Sequence, residues 1–174
     1  MKKIVIAVFV LILGYWIVSP YLTLMSLQAD IEARDGESLA KKVDFPSVRA
    51  SLKDQMNVML TKQVASSSND DPWGAAGAAI GAAFASTLVN GMVDGLVTPA
   101  GLIELMSSGE TPQSNSGSQN TDEDVAISDA DLRYEGINKF SATFEGDSGD
   151  EVKVILRRDG FGWKITDIRM PLDN

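Results

Sequence analysis

From residue 4 to residue 29 the chain carries no charged side chain. Two lysines, Lys2 and Lys3, precede this stretch, and its first acid is Asp30. The strongly apolar part, residues 4–18, is 15 residues long. A full helical span needs about 20, and the uncharged extension beyond Val18 can supply the difference. Two fates compete for such a segment: a cleaved secretory signal and an uncleaved anchor. Val18 and Ser19 make a poor small-x-small cleavage site, and the bulky Trp16 and Tyr21 stand beside it. The segment therefore reads as a signal anchor. Lys2 and Lys3 hold its start on the cytoplasmic side and send the rest outward. Tyr15, Trp16 and Tyr21 suit a membrane–water interface. The expectation is a single-pass protein, with residues 1–29 as anchor and stalk and residues 30–174 as a small folded domain. In a Gram-negative bacterium that means the inner membrane as partner and a domain in the periplasm.

The pattern after the anchor is helical. Leu24, Leu27 and Ile31 recur at helical spacing, so the membrane helix continues outward as one rod until Asp35-Gly36 breaks it. A short turn follows over residues 37–42. Asp44-Phe45-Pro46 reads as a bend, because proline moves its predecessor out of the helical region. Ser47 is placed to cap the next helix, where Val48, Leu52, Met56, Met59 and Leu60 return every three or four residues. Residues 75–93 are rich in Gly and Ala and again carry no charge. The spacing Gly77-x-x-x-Gly81 is compatible with close helix contact in lipid. Weak hydrophobicity and the lack of a flanking positive charge favour a soluble or surface-lying helix over a second crossing. Thr98 and Pro99 are the favoured N-cap and first residue of a further helix.

The C-terminal part changes period. Residues 109–126 are Ser, Asn, Gln, Gly and acids with almost no apolar side chain, and read as a flexible linker. Residues 131–134, 139–145, 151–158 and 163–170 alternate or nearly alternate, with turn residues between them. The fold class expected is α+β: amphipathic helices packed on a C-terminal antiparallel sheet of three or four strands. Such an arrangement is similar to cystatin-like and nuclear-transport-factor-like domains, folds that host many functions.

Composition limits the chemistry. The chain has no Cys and no His. Thiolate chemistry and the commonest general base and metal ligand are absent with them. No cofactor is expected. Net charge is −9, which argues against nucleic acid as a partner. A hydrolase would need carboxylates or a Ser–Lys pair, and no nucleophile motif surrounds Ser47, Ser51 or Thr98. The acidic groups around residues 122–131 and 147–151 read as solvated linker and turn. Four residues stand out as candidates for a structural or functional role. Asp94 borders the Gly/Ala-rich run, and Asp44 sits in the bend. Arg157 and Trp163, with Arg158 and Lys164, form a basic and aromatic patch on adjacent strands, although alternation sends Arg157 and Arg158 to opposite faces.

Four blocks, YWIVSPYLTL, VDFPSVRASLKDQM, LVTPAGLIELM and VILRRDGFGWKITDIRMP, resemble in this order the bacterial family known as domain of unknown function 2939. The resemblance implies a membrane-anchored or exported protein of Gram-negative bacteria. It brings no catalytic residues with it. The reading is a non-catalytic envelope protein that meets a protein or lipid partner. The alternative is a small-ligand binder with a pocket between the sheet and the Gly/Ala-rich helix.

Overall fold

The computed structural model describes residues 2–67, 72–108, 130–145 and 151–170. Five helices precede four strands: α1 (Lys2–Glu32), α2 (Gly36–Lys41), α3 (Phe45–Ser67), α4 (Pro72–Leu96), α5 (Pro99–Ser108), β1 (Asp131–Gly136), β2 (Lys139–Glu145), β3 (Glu151–Asp159) and β4 (Gly162–Arg169). The strands form one antiparallel sheet in sequence order. The fold is thus α+β, as the alternating C-terminal pattern predicts. The stretch read as a linker and the β2–β3 turn lie outside the described residues.

α1 is one rod of 31 residues, even though Pro20 lies inside it. Its two halves differ. Large side chains from Ile4 to Leu11 are exposed, whereas Ser19, Pro20, Leu24 and Leu27 are buried. Leu24 and Leu27 join Leu39, Phe140, Ala142, Leu156 and Trp163 in the core, with Leu102 and Met106 of α5 packed against it. The helix that begins as a membrane candidate therefore ends as a core helix. It stops at a Schellman-type cap: Asp35 N bonds Asp30 O at 2.8 Å, and Arg34 N bonds Ile31 O at 3.0 Å. Arg34 takes the left-handed position there, at φ 52°. Asp35 then caps α2 by accepting from Ser38 N at 3.0 Å. α2 lies close to α5. A Cβ added to Gly36 would come within 2.8 Å of the Ile103 Cα, so only glycine fits.

Alternation in the strands puts Phe140, Ala142, Leu156 and Trp163 on the face covered by α1, α2 and α5. A register shift in β4 opposite Ile155 and Leu156 lets Ile165 and Ile168, three apart, face the same way. The free edge of β4 is covered. Ile165 N bonds Lys42 O and Asp44 N bonds Ile165 O, both at 2.8 Å. Further along, the Gln55 side chain of α3 donates to Ile168 O at 2.7 Å and accepts from Met170 N at 3.1 Å. Both contacts satisfy backbone groups that an open edge would leave free for aggregation.

α4 packs along α3, held by Ser86 Oγ to Asn57 Oδ1 at 2.7 Å and by the Lys53–Asp94 ion pair at 2.6 Å. Its other side is an apolar ridge of Ile80, Phe84, Leu88, Met92 and Leu96, each 59–70% exposed. α5 opens as its sequence predicts, with Thr98 Oγ1 accepting from Gly101 N at 3.0 Å ahead of Pro99.

Candidate functional site

The densest set of side-chain interactions lies where α1 enters the domain. Proline has no N–H, so Pro20 leaves the carbonyl four residues earlier, that of Trp16, without its helical donor. Three side chains converge on that carbonyl. Ser19 Oγ donates at 3.1 Å, Arg158 Nη2 at 3.2 Å and Tyr134 Oη at 3.4 Å. Tyr134 Oη also donates to Ile17 O at 2.6 Å. Trp163 Nε1 donates to Ser19 Oγ at 2.8 Å. The Arg158 guanidinium lies 4.1 Å from the Trp16 ring centre and 4.8 Å from that of Trp163. The cation is thus held between two indoles, an arrangement stronger when desolvated. Phe140 completes the cluster, edge-on to Tyr134 at 4.9 Å and to Tyr21 at 5.1 Å. Burial holds the Tyr134 phenol above its ordinary pKa, with Tyr21 adding to the rise, so it stays a donor.

The opposite face of the sheet is partly covered by α3, with Ile155 buried there, and is charged toward the β1–β2 and β3–β4 turns. Lys139 stands across from Arg157, and Arg157 across from Lys164. This places three cations in a row over β2, β3 and β4. Lys139 and Lys164 have acidic neighbours, Glu135 at 2.5 Å and Asp159 at 2.6 Å. Glu135 also pairs with Lys153. Hydrogen bonds from Lys139 and then Lys153 hold the Glu135 carboxyl down at about 2. Arg157 is exposed, with no ion pair among the described residues. Beside the row, α3 and the sheet enclose an open groove of about 620 Å³. Ser51, Asp54, Gln55, Arg157, Asp167 and Arg169 line it. Ser51 Oγ bonds the Asp167 carboxylate inside it.

The four residues singled out from sequence fall in four separate settings. Asp44 caps α3, accepting from Ser47 Oγ at 2.9 Å and Ser47 N at 3.4 Å. The helix therefore begins at Phe45, two residues before the cap expected at Ser47, because proline is tolerated in a first helical turn. Asp94 is tied to Lys53. Arg157 belongs to the cationic row. Trp163 is buried and belongs to the α1 junction together with Arg158. The basic and aromatic patch is thereby divided between the two sheet faces. The groove on the sheet is walled by α3, and among the described residues none of the Gly/Ala-rich α4 lines it. The pocket expected beside α4 is corrected accordingly: α4 packs on α3, which stands between it and the groove. Among the described residues, no group of three acids is placed to hold a metal.

Sequence reasoning did not find Pro20, Trp16 or Tyr134 as a set. Pro20 is the signal that was available, since a proline inside a helix always frees the carbonyl four residues before it.

The architecture is that of a small α+β module built around the second half of an apolar N-terminal helix. The chain belongs to the family described as Protein of unknown function (DUF2939), whose model matches residues 9–105. The match runs from α1 into α5 and stops before the sheet. Of the four blocks that carry the resemblance, the one at residues 154–171 lies outside the match. Among curated proteins and solved structures, none matches this chain.

Proposed function

We propose that this protein is a membrane-anchored, non-catalytic module of the bacterial envelope that meets a protein or lipid partner. One observation carries the reading: the helix with the membrane-like N-terminal half supplies Ser19, Pro20, Leu24 and Leu27 to the domain core. Cleavage near residue 19 would strip the Trp163 Nε1 and Arg158 groups of their partners. Leaving the buried Trp163 donor unpaired costs about 1–3 kcal/mol. The helix is therefore a retained anchor in this reading, not a discarded signal. With Lys2 and Lys3 on the cytoplasmic side, the domain stands in the periplasm at the inner membrane. An epitope tag placed before Met1 tests this. It is expected to stay with the full-length chain in the carbonate-resistant membrane fraction. A mature chain that has lost the tag overturns the reading.

A second reading, small-ligand binding, draws on the groove between α3 and the sheet, with Arg157 and Arg169 on its rim. It suits a compact anion. A melting-point rise with small phosphorylated or carboxylated compounds, lost in Arg157→Gln, would favour it.

A further inference from the structure

The end of the sheet nearest the exposed half of α1 can be identified from contacts. Trp163 reaches Ser19, and two residues nearer the hairpin tip the Phe161 carbonyl accepts from Tyr15 Oη at 3.5 Å. Two strand residues and one helical turn both cover about 6 Å. β4 and α1 therefore run side by side, and moving toward the β3–β4 tip is moving toward the apolar half of α1. The β1–β2 tip lies at this same end, since Arg158 N bonds Asn138 O at 3.1 Å. Each tip presents a large apolar side chain to solvent: Ile137 is 75% exposed and Phe161 85%.

The anchor length bears on where this end sits. Residues 4–18 make a helix of about 22 Å, against a hydrocarbon core of about 30 Å. Extending the span through Thr23 would close the gap. However, Ser19 and Pro20 are already packed against the sheet. Drawing them to membrane level brings the two tips with them. Charge agrees with that placement. The row Lys139–Arg157–Lys164 lies within four residues of the tips. Lys139 and Lys164 are paired with Glu135 and Asp159, and Arg157 between them is the exposed cation without an acidic partner among the described residues.

We infer that the hairpin end of the sheet is a lipid-docking surface. Ile137 and Phe161 enter the headgroup–acyl boundary beside α1, and the row Lys139–Arg157–Lys164 meets anionic headgroups. Trp16 and Tyr15 stand at the same level, where amphipathic rings are favoured. This inference rests on the anchor reading above and adds a second contact with the bilayer to it.

The full chain has no native Cys, so single spin labels can be placed at Phe9→Cys, Ile137→Cys, Phe161→Cys and Glu145→Cys. Each labelled protein is reconstituted in vesicles of equal phosphatidylglycerol and phosphatidylcholine. The ratio of oxygen to nickel-chelate accessibility is then read. Positions 137 and 161 are expected to give ratios severalfold above position 145, at the far end of the sheet. Arg157→Gln with Lys164→Gln is expected to bring them down to the values found in pure phosphatidylcholine. Aqueous ratios at 137 and 161 with a buried position 9 overturn the docking surface, leave the anchor standing and point to a protein partner for the tips. An aqueous ratio at position 9 overturns the anchor reading, and the inference falls with it. Ratios at 137 and 161 that ignore both lipid charge and the double substitution overturn the role given to the cationic row.

Discussion

Arg158 donates, beside Ser19 and Tyr134, to the carbonyl of Trp16 that Pro20 leaves without its helical donor. The donor comes from a strand 142 positions away in sequence, so a local defect in α1 becomes a long-range tie. This accounts for a proline in the middle of an unbroken helix at the point where membrane-like and core-like halves meet. The same guanidinium stacks on Trp16 and Trp163. Its removal is expected to cost about 2 kcal/mol, combining a charge-assisted hydrogen bond and two stacked rings. Arg158→Lys keeps the charge but loses the planar fork and should recover less than half. Pro20→Ala restores a helical donor to Trp16. In that background Arg158→Ala should cost about 1 kcal/mol less. Denaturation midpoints of the detergent-solubilised full chain read all three, and strict additivity of the two substitutions would sink the coupling.

Two substitutions close together in sequence should act in opposite directions. Arg34 occupies a left-handed position that costs a non-glycine residue about 1 kcal/mol. Arg34→Gly is expected to stabilise the domain by up to about 0.5 kcal/mol, since relief of strain exceeds the entropy it adds to the unfolded chain. Gly36→Ala places a methyl group 2.8 Å from the Ile103 Cα and should destabilise by about 1–3 kcal/mol. Thermal melts of both variants check the pair of signs. Equal effects would mean that α2 and α5 separate freely.

Glu135 should give the sheet an acid-sensitive contribution. Its carboxyl is lowered from 4.5 to about 2 by hydrogen bonds from Lys139 and Lys153. A group depressed on folding stabilises above its unfolded pKa, and that stability is lost as pH falls through the folded value. The contribution is therefore complete above about pH 4.5 and disappears toward about pH 2. Because these side chains meet solvent, it amounts to about 1 kcal/mol. Glu135→Gln should be less stable than the parent by that amount at pH 7 and no less stable near pH 2. A constant gap across urea titrations at the two pH values would refute the linkage.

Much of this fold is legible in the sequence. Phe140, Ala142 and Phe144 alternate as a half-buried strand must, and Thr98 and Pro99 mark a helix start by local chemistry alone. What is illegible depends on distant partners. Local rules read Asp44-Phe45-Pro46 as a bend, because they do not register that proline is harmless in a first turn capped by the preceding aspartate. Pro20 looks like a breaker until Arg158 and Tyr134 arrive from the sheet. Alternation does separate Arg157 from Arg158, but only the position of α1 reveals that Arg158 turns inward to two tryptophans while Arg157 turns outward to a row of cations. The helix that walls the groove is illegible for the same reason. Apolar content points to α4 as the cover for the sheet, whereas the polar edge contacts of Gln55 select α3.

Ala76–Leu96 is long and apolar enough to cross a membrane, and little of it is buried. Its packing partner argues against a crossing. α3 lies along it with Lys53 on Asp94 and Asn57 on Ser86, and Asp54 and Lys62 lie on that same helix. A spanning α4 would either pull these groups into hydrocarbon, at about 2.5–3.5 kcal/mol per charge near the centre, or lose its contacts with α3. Ile80→Cys and Leu88→Cys should therefore react with a membrane-impermeant maleimide from the same side as a cysteine at Glu145, with α1 intact. The ridge side chains are exposed, so these substitutions leave the α3–α4 contact in place. Shielding of Ile80→Cys and Leu88→Cys from the reagent, with Glu145→Cys labelled only after the membrane is opened, would establish a second crossing. The C-terminal sheet would then lie on the same side as Lys2 and Lys3.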